Sequence, residues 1–117
     1  MCGRVIQLER GKPQNIIPAA TAVTTTSKSL RASGHNAIII YSYITGSGSW
    51  TIKLRGSSEF GGTHIDTYDH NGEVMSTGAI STSRGQLFVG IPENFQILAE
   101  ETVDGATIKV DFELLTV

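Results

Sequence analysis

From about Leu30 onward the apolar positions of this chain fall into short runs, separated by Gly, Asp, Asn, Ser or Pro, in which every second residue faces the same way. Period-two alternation marks a strand with one buried and one wet face. "WTIKLR" at 50–55 shows it cleanly, with Trp50, Ile52 and Leu54 on one face and Thr51, Lys53 and Arg55 on the other. "AIIIYSYI" at 37–44 is apolar on both faces. Such a strand is expected to be covered on each side, by the core and by either the N-terminal leader or a neighbouring subunit. Further strands are expected at "QLFVGI" (86–91), stopped by Pro92, and around Ser29 to Ser33.

Turn chemistry suggests how some strands join. Asp104-Gly105 offers two residues tolerant of positive φ, as a two-residue hairpin turn requires. Pairing about it sets Val103 opposite Ala106, Ala99 opposite Val110, Ile97 opposite Phe112 and Phe95 opposite Leu114, with Glu100 against Lys109 on the other face. Asn71-Gly72 marks a second hairpin, between "THIDTYDH" and "EVMSTGAI". Seven to eight short antiparallel strands with regular turn signals predict an all-β fold, a single β-sandwich of the jelly-roll-like or immunoglobulin-like kind.

Residues 1–28 break the pattern. They hold Pro13 and Pro18, the polar run "TAVTTTSKS" and small apolar clumps, "VIQL" and "NIIP". An extended N-terminal arm over 1–28 and a sandwich domain over 29–117 are expected. Charge divides similarly. Residues 1–36 carry five basic side chains against one acidic, and residues 37–117 carry four against ten, so a basic leader precedes an acidic body. The arm is therefore read as a partner-binding segment, with Val5, Ile6, Leu8, Arg10, Ile16, Ile17 and Pro18 as its contact residues.

Composition narrows the class. At 117 residues the chain is one domain, and 39% hydrophobic with 17% charged residues describes an ordered globular protein. Its single cysteine excludes an internal disulfide and any cysteine-based zinc site. No apolar run is long enough to span a membrane as a helix, and no membrane partner is expected. Phosphate contacts need concentrated positive charge, so the acidic body argues against nucleic-acid binding.

Candidate chemistry is sparse. The opening "MCGR" resembles that of the SOS-response-associated peptidases, in which the cysteine bonds to abasic DNA; Cys2, Gly3 and Arg4 match. The tryptophan-glutamate and histidine-arginine segments of that family's active site have no counterpart, and no histidine lies nearby in sequence to activate the thiol, so Cys2 is read as inert. His64-x-Asp66 is similar to the His-x-Asp of two-histidine, one-carboxylate iron oxygenases, but neither His35 nor His70 is well placed as third ligand. Asp66, Asp69, Asn71 and Glu73 could in principle ligate calcium, though their spacing departs from an EF-hand loop. There is no Gly-x-Ser-x-Gly elbow, phosphate loop or His-Glu-x-x-His. Trp50, Tyr41 and Tyr43 are assigned to core-like strands rather than to a sugar platform. No catalytic residue, metal, cofactor or small-molecule ligand is expected.

One long stretch carries a resemblance. In "WTIKLRGSSEFGGTHIDTYDHNGEVMSTGAISTSRGQLFVGIPENFQILAEETVDGATIKVDFEL", the turn Asp69–Gly72, the segment Thr77–Ile80 and the alternating run from Gly85 through Pro92 precede a final alternating pair. This progression resembles small β-sandwich structural proteins of tailed bacteriophages. The resemblance implies a non-enzymatic virion protein, a capsid decoration or cement protein made in the host cytoplasm and displayed on the capsid surface. Its implied partners are the major capsid protein or other virion subunits, with the chain a homo-oligomer within that assembly. The alternative is a carbohydrate- or receptor-binding sandwich of a phage tail or fibre.

Overall fold

The computed structural model describes residues 12–117, and among these every regular element is a strand. In chain order they are β1 (Gln14–Thr21), β2 (Thr25–Thr26), β3 (Leu30–Arg31), β4 (Ala37–Gly46), β5 (Ser49–Ser57), β6 (Ile65–Asp66), β7 (Ser76–Ile80), β8 (Arg84–Val89), β9 (Asn94–Val103) and β10 (Ala106–Leu115). They form two antiparallel sheets. The first has the order β1-β10-β4-β8; in the second, β9 pairs with β2, β3 and β5, and β5 also pairs with β6 and β7. The all-β two-sheet architecture expected from the alternation is present, with ten strands, several only two residues long.

One folded ribbon organises the sandwich. β4 pairs with β10 without interruption from Ala37↔Leu115 to Gly46↔Ala106. β5 pairs with β9 from Ser49↔Val103, in the same offset, and one bulge before Trp50↔Glu101 shifts it by a single residue as far as Ser57↔Asn94. The two long strands are thus one antiparallel ribbon that crosses from sheet to sheet at residues 46–48 and 104–105. The corner needs glycine. Gly46 sits at φ 110, and a Cβ there would overlap the carbonyl oxygen of Gly105; one on Gly48 would overlap that of Val103 and lie 2.7 Å from the amide of Ala106. Ser47 N–H closes the corner on Gly105 O at 3.0 Å.

This geometry corrects the expected Asp104-Gly105 hairpin. β9 and β10 belong to opposite sheets, so their apolar faces meet across the sandwich instead of side by side. Phe95 and Phe112 touch edge to face with ring centres 6.3 Å apart, a favoured aromatic arrangement. The anticipated Glu100–Lys109 pair is replaced: Glu100 lies opposite Thr51, and Lys109 Nζ lies 3.3 Å from Asp111 Oδ2. The Asn71-Gly72 turn does form, with Gly72 at φ 78 and Tyr68 bridged to Val74.

The core lies between the sheets. Trp50, Ile52 and Leu54 of β5 and Phe95 and Ile97 of β9, from the second sheet, meet Ile38, Ile40, Ile108 and Val110 of the first, all fully buried. Trp50 Nε1 donates to Ala106 O at 3.3 Å, which satisfies the indole at the corner.

The leader differs most from expectation. From Gln14 it is part of the sandwich: β1 edges the first sheet against β10, and β2 and β3 edge the second against β9. Ile17 is fully buried in the core and Ile16 packs against it, so these two residues serve the chain's own interior, whereas Pro18 is exposed. Ser27 joins the short edge strands, its N–H donating to Ile97 O at 2.8 Å and its hydroxyl accepting from Ile97 N–H at 2.9 Å. The boundary expected at 28/29 therefore has no counterpart between these strands. Val5, Ile6, Leu8 and Arg10 lie outside the described residues. Ile17→Ala is expected to cost about 2–3 kcal/mol in urea unfolding, the lower part of the range for a buried isoleucine because an edge strand can relax; a detached arm would give no change.

Candidate interaction face

The outer face of the first sheet combines strand alternation with incomplete covering. On β4, Ile38, Ile40 and Ser42 point inward and are buried, leaving Ile39, Tyr41 and Tyr43 outside. On β8, Phe88 points in while Leu87 and Val89 point out. Pairing aligns Ile39 with Leu87 and Ala37 with Val89, so their side chains form a continuous apolar stripe. Leu87 is 51% exposed, Val89 48% and Tyr43 45%. Tyr41 pairs with Gly85, and its ring lies over that glycine, where an added Cβ would meet it in ordinary contact at 3.5 Å.

Across the same face the chemistry turns polar. Tyr41 OH donates to Glu113 Oε1 at 3.4 Å, and Glu113 is buried. Lys109 Nζ stands 5.1 Å from the ring centre of Tyr43, within cation–π range. Asn15 Nδ2 donates to Asp111 Oδ1 at 2.9 Å and to Val110 O at 3.2 Å, fixing β1 to β10. An apolar centre with a hydrogen-bonded polar flank has the composition of a protein-contact surface. It also answers the two-faced pattern of residues 37–44: one face is core, and the other, among the described residues, is continuous with half-exposed Leu87 and Val89.

The residues weighed for metal chemistry are separated or occupied. His64 is buried, with Nδ1 2.8 Å from Gly62 O. Asp66 lies 3.2 Å from Arg55 Nε and 3.9 Å from Lys53 Nζ. His35 Nδ1 is 3.1 Å from Thr116 Oγ1. Among the described residues no three His, Cys, Asp or Glu side chains are grouped to hold a metal ion. Trp50 is inaccessible to a sugar. Cys2 lies outside the described residues.

Asp69 has a structural task instead. Its Oδ1 accepts from the N–H groups of Asn71 at 2.8 Å and Glu73 at 3.0 Å, building the turn. The Glu73 N–H holds its pKa below the ordinary 3.8; partial loss of hydration opposes this, and the Asn71 N–H and His70 reinforce it. A carboxylate with a depressed folded-state pKa adds stability that is complete above its ordinary pKa and is lost as pH falls through the folded value. Asp69→Asn is accordingly expected to flatten the fall of Tm from about pH 5 downward, measured by circular dichroism in parallel with the wild type.

No protein-family model matches the chain, and no curated protein matches it. Among solved structures it is similar in fold to the SPBc2 prophage-derived protein YomS, with a TM-score of 0.61 and 18% sequence identity over 97% of this chain and 98% of that one.

Proposed function

We propose that this chain is a non-enzymatic structural protein of a phage particle, a capsid decoration or cement protein seated on the major capsid protein through the outer face of its first sheet. The observation that carries the reading is the half-exposed stripe of Leu87, Val89 and Tyr43 beside the polar flank of Lys109 and Asp111. The fold shared with a prophage-derived protein supports the phage assignment, and the progression from Asp69 through Pro92 supports the structural role. Each Å² of apolar surface covered there would contribute about 25 cal/mol before the costs of association are subtracted. Repetition of that contact over a symmetric shell would make even a modest surplus effective.

Leu87→Asp tests the face. The site is exposed and outward, so stability should change by no more than about 0.5 kcal/mol. Binding of the purified variant to undecorated capsids, followed by sedimentation, is expected to fall at least tenfold. Undiminished binding would remove this face from the proposal.

The tail or fibre reading has one observation in its favour, the exposed Tyr68 beside the Asp69 turn. A glycan array showing selective binding abolished by Tyr68→Ala would favour it over decoration.

A further inference from the structure

Four asparagines occur in the chain, and one differs from the others in two ways. Asn15, Asn36 and Asn94 each precede a residue with a side chain, and each has its amide nitrogen bonded: Nδ2 of Asn15 to Asp111 Oδ1, of Asn36 to Val117 O and of Asn94 to Ser57 O. Asn71 precedes Gly72 and is exposed, and among the described residues no hydrogen bond holds its side-chain amide. The backbone nitrogen of Gly72 is unhindered as well, since even an added Cβ would meet nothing within 4 Å. An accessible amide carbon thus stands one peptide unit from an accessible nitrogen.

We propose that Asn71 is a self-modification site, at which the Gly72 nitrogen converts the side-chain amide to a carboxylate when the Asp69 turn opens. Base takes the Gly72 N–H proton, and the nitrogen attacks Asn71 Cγ. The new N–Cγ bond closes a cyclic imide, while the Cγ–Nδ2 bond breaks and ammonia leaves with the proton. Water, the only co-reactant, then opens the ring. Addition at Cγ gives aspartate at position 71, and addition at the backbone carbonyl gives isoaspartate, in which the chain runs through Cγ. The closed turn opposes the first step. Gly72 N–H donates to Asp69 O at 3.0 Å and Asp69 N–H to Glu73 O at 2.8 Å, while Asp69 Oδ1 holds the N–H groups of Asn71 and Glu73. Losing the Gly72 proton and turning the nitrogen toward Cγ both break the bond to Asp69 O. The rate therefore follows the open fraction of the turn, a local-unfolding equilibrium. Isoaspartate lengthens the backbone inside the turn, so it loosens the Tyr68–Val74 bridge and the bond from Met75 N–H to Thr67 O that follow.

Ageing the full chain in mildly alkaline buffer, beside a synthetic peptide of residues 67–75, tests this. Peptide mass spectrometry locates the conversion, and enzymatic methylation counts the isoaspartate. Conversion is expected at Asn71 alone among the asparagines, and about tenfold or more slower in the folded chain than in the peptide, because a hydrogen bond to a charged group such as Asp69 is worth about that factor. Asp69→Ala is expected to remove most of the protection. Asp69→Asn, which keeps an acceptor oxygen, should fall between and supplies the comparison if the alanine variant does not fold. No conversion at Asn71 in the folded chain, conversion spread over Asn15, Asn36 and Asn94, or equal rates in the chain, the peptide and the Asp69 variants would each overturn the proposal.

Discussion

Trp50→Ala is expected to remove about 3–5 kcal/mol of stability, the cost of deleting a large aromatic from a packed interior. Trp50 is fully buried where the ribbon crosses between sheets, paired with Glu101 on one side and Ile80 on the other. Its loss opens a cavity and leaves the Ala106 carbonyl without the indole N–H. Domains of this size hold about 5–15 kcal/mol in total, so the variant should be partly unfolded near 37 °C. Urea unfolding followed by circular dichroism measures this, because the substitution removes the only tryptophan fluorophore. A tryptophan serving as a sugar platform would leave the midpoint unchanged.

Gly46→Ala should be nearly as severe. The residue sits at φ 110, and its new Cβ would meet the Gly105 carbonyl, fixed backbone that cannot swing aside. Backbone strain of about 1–3 kcal/mol adds to overpacking of about 1–3 kcal/mol. Gly34→Ala is the control: φ is 85 there, but nothing lies within 4 Å, so only the conformational penalty of about 1 kcal/mol remains. Equal losses at the two sites, measured by urea unfolding, would mean that the corner is not closely packed.

These residues show what was legible in the sequence. Alternation in Trp50-Ile52-Leu54 and Phe95-Ile97-Ala99 correctly identified the buried faces, because a strand's period does not depend on its partner. Partner choice was not legible. Asp104-Gly105 satisfies a hairpin register and a sheet-to-sheet corner equally well, since in both cases the apolar faces of β9 and β10 end up against common core. The deciding fact is 50 or more residues away, where Gly46 and Gly48 make the matching corner in the other strand. The leader was misread for a related reason. β1 is an edge strand with irregular register and only Ile17 fully buried, so it leaves no alternation to detect. The interaction face was half legible: "AIIIYSYI" signalled two covered faces, and Leu87 and Val89 join it only through pairing across 45 or more residues.

A structural virion component must be present in the particle in fixed proportion, so quantitative mass spectrometry of purified phage particles tests the proposed role most directly. The chain is expected at a constant ratio to the major capsid protein across gradient fractions, with Leu87→Asp reducing that ratio at least tenfold. Its absence from intact particles, while it accumulates in the infected cell, would contradict the proposal.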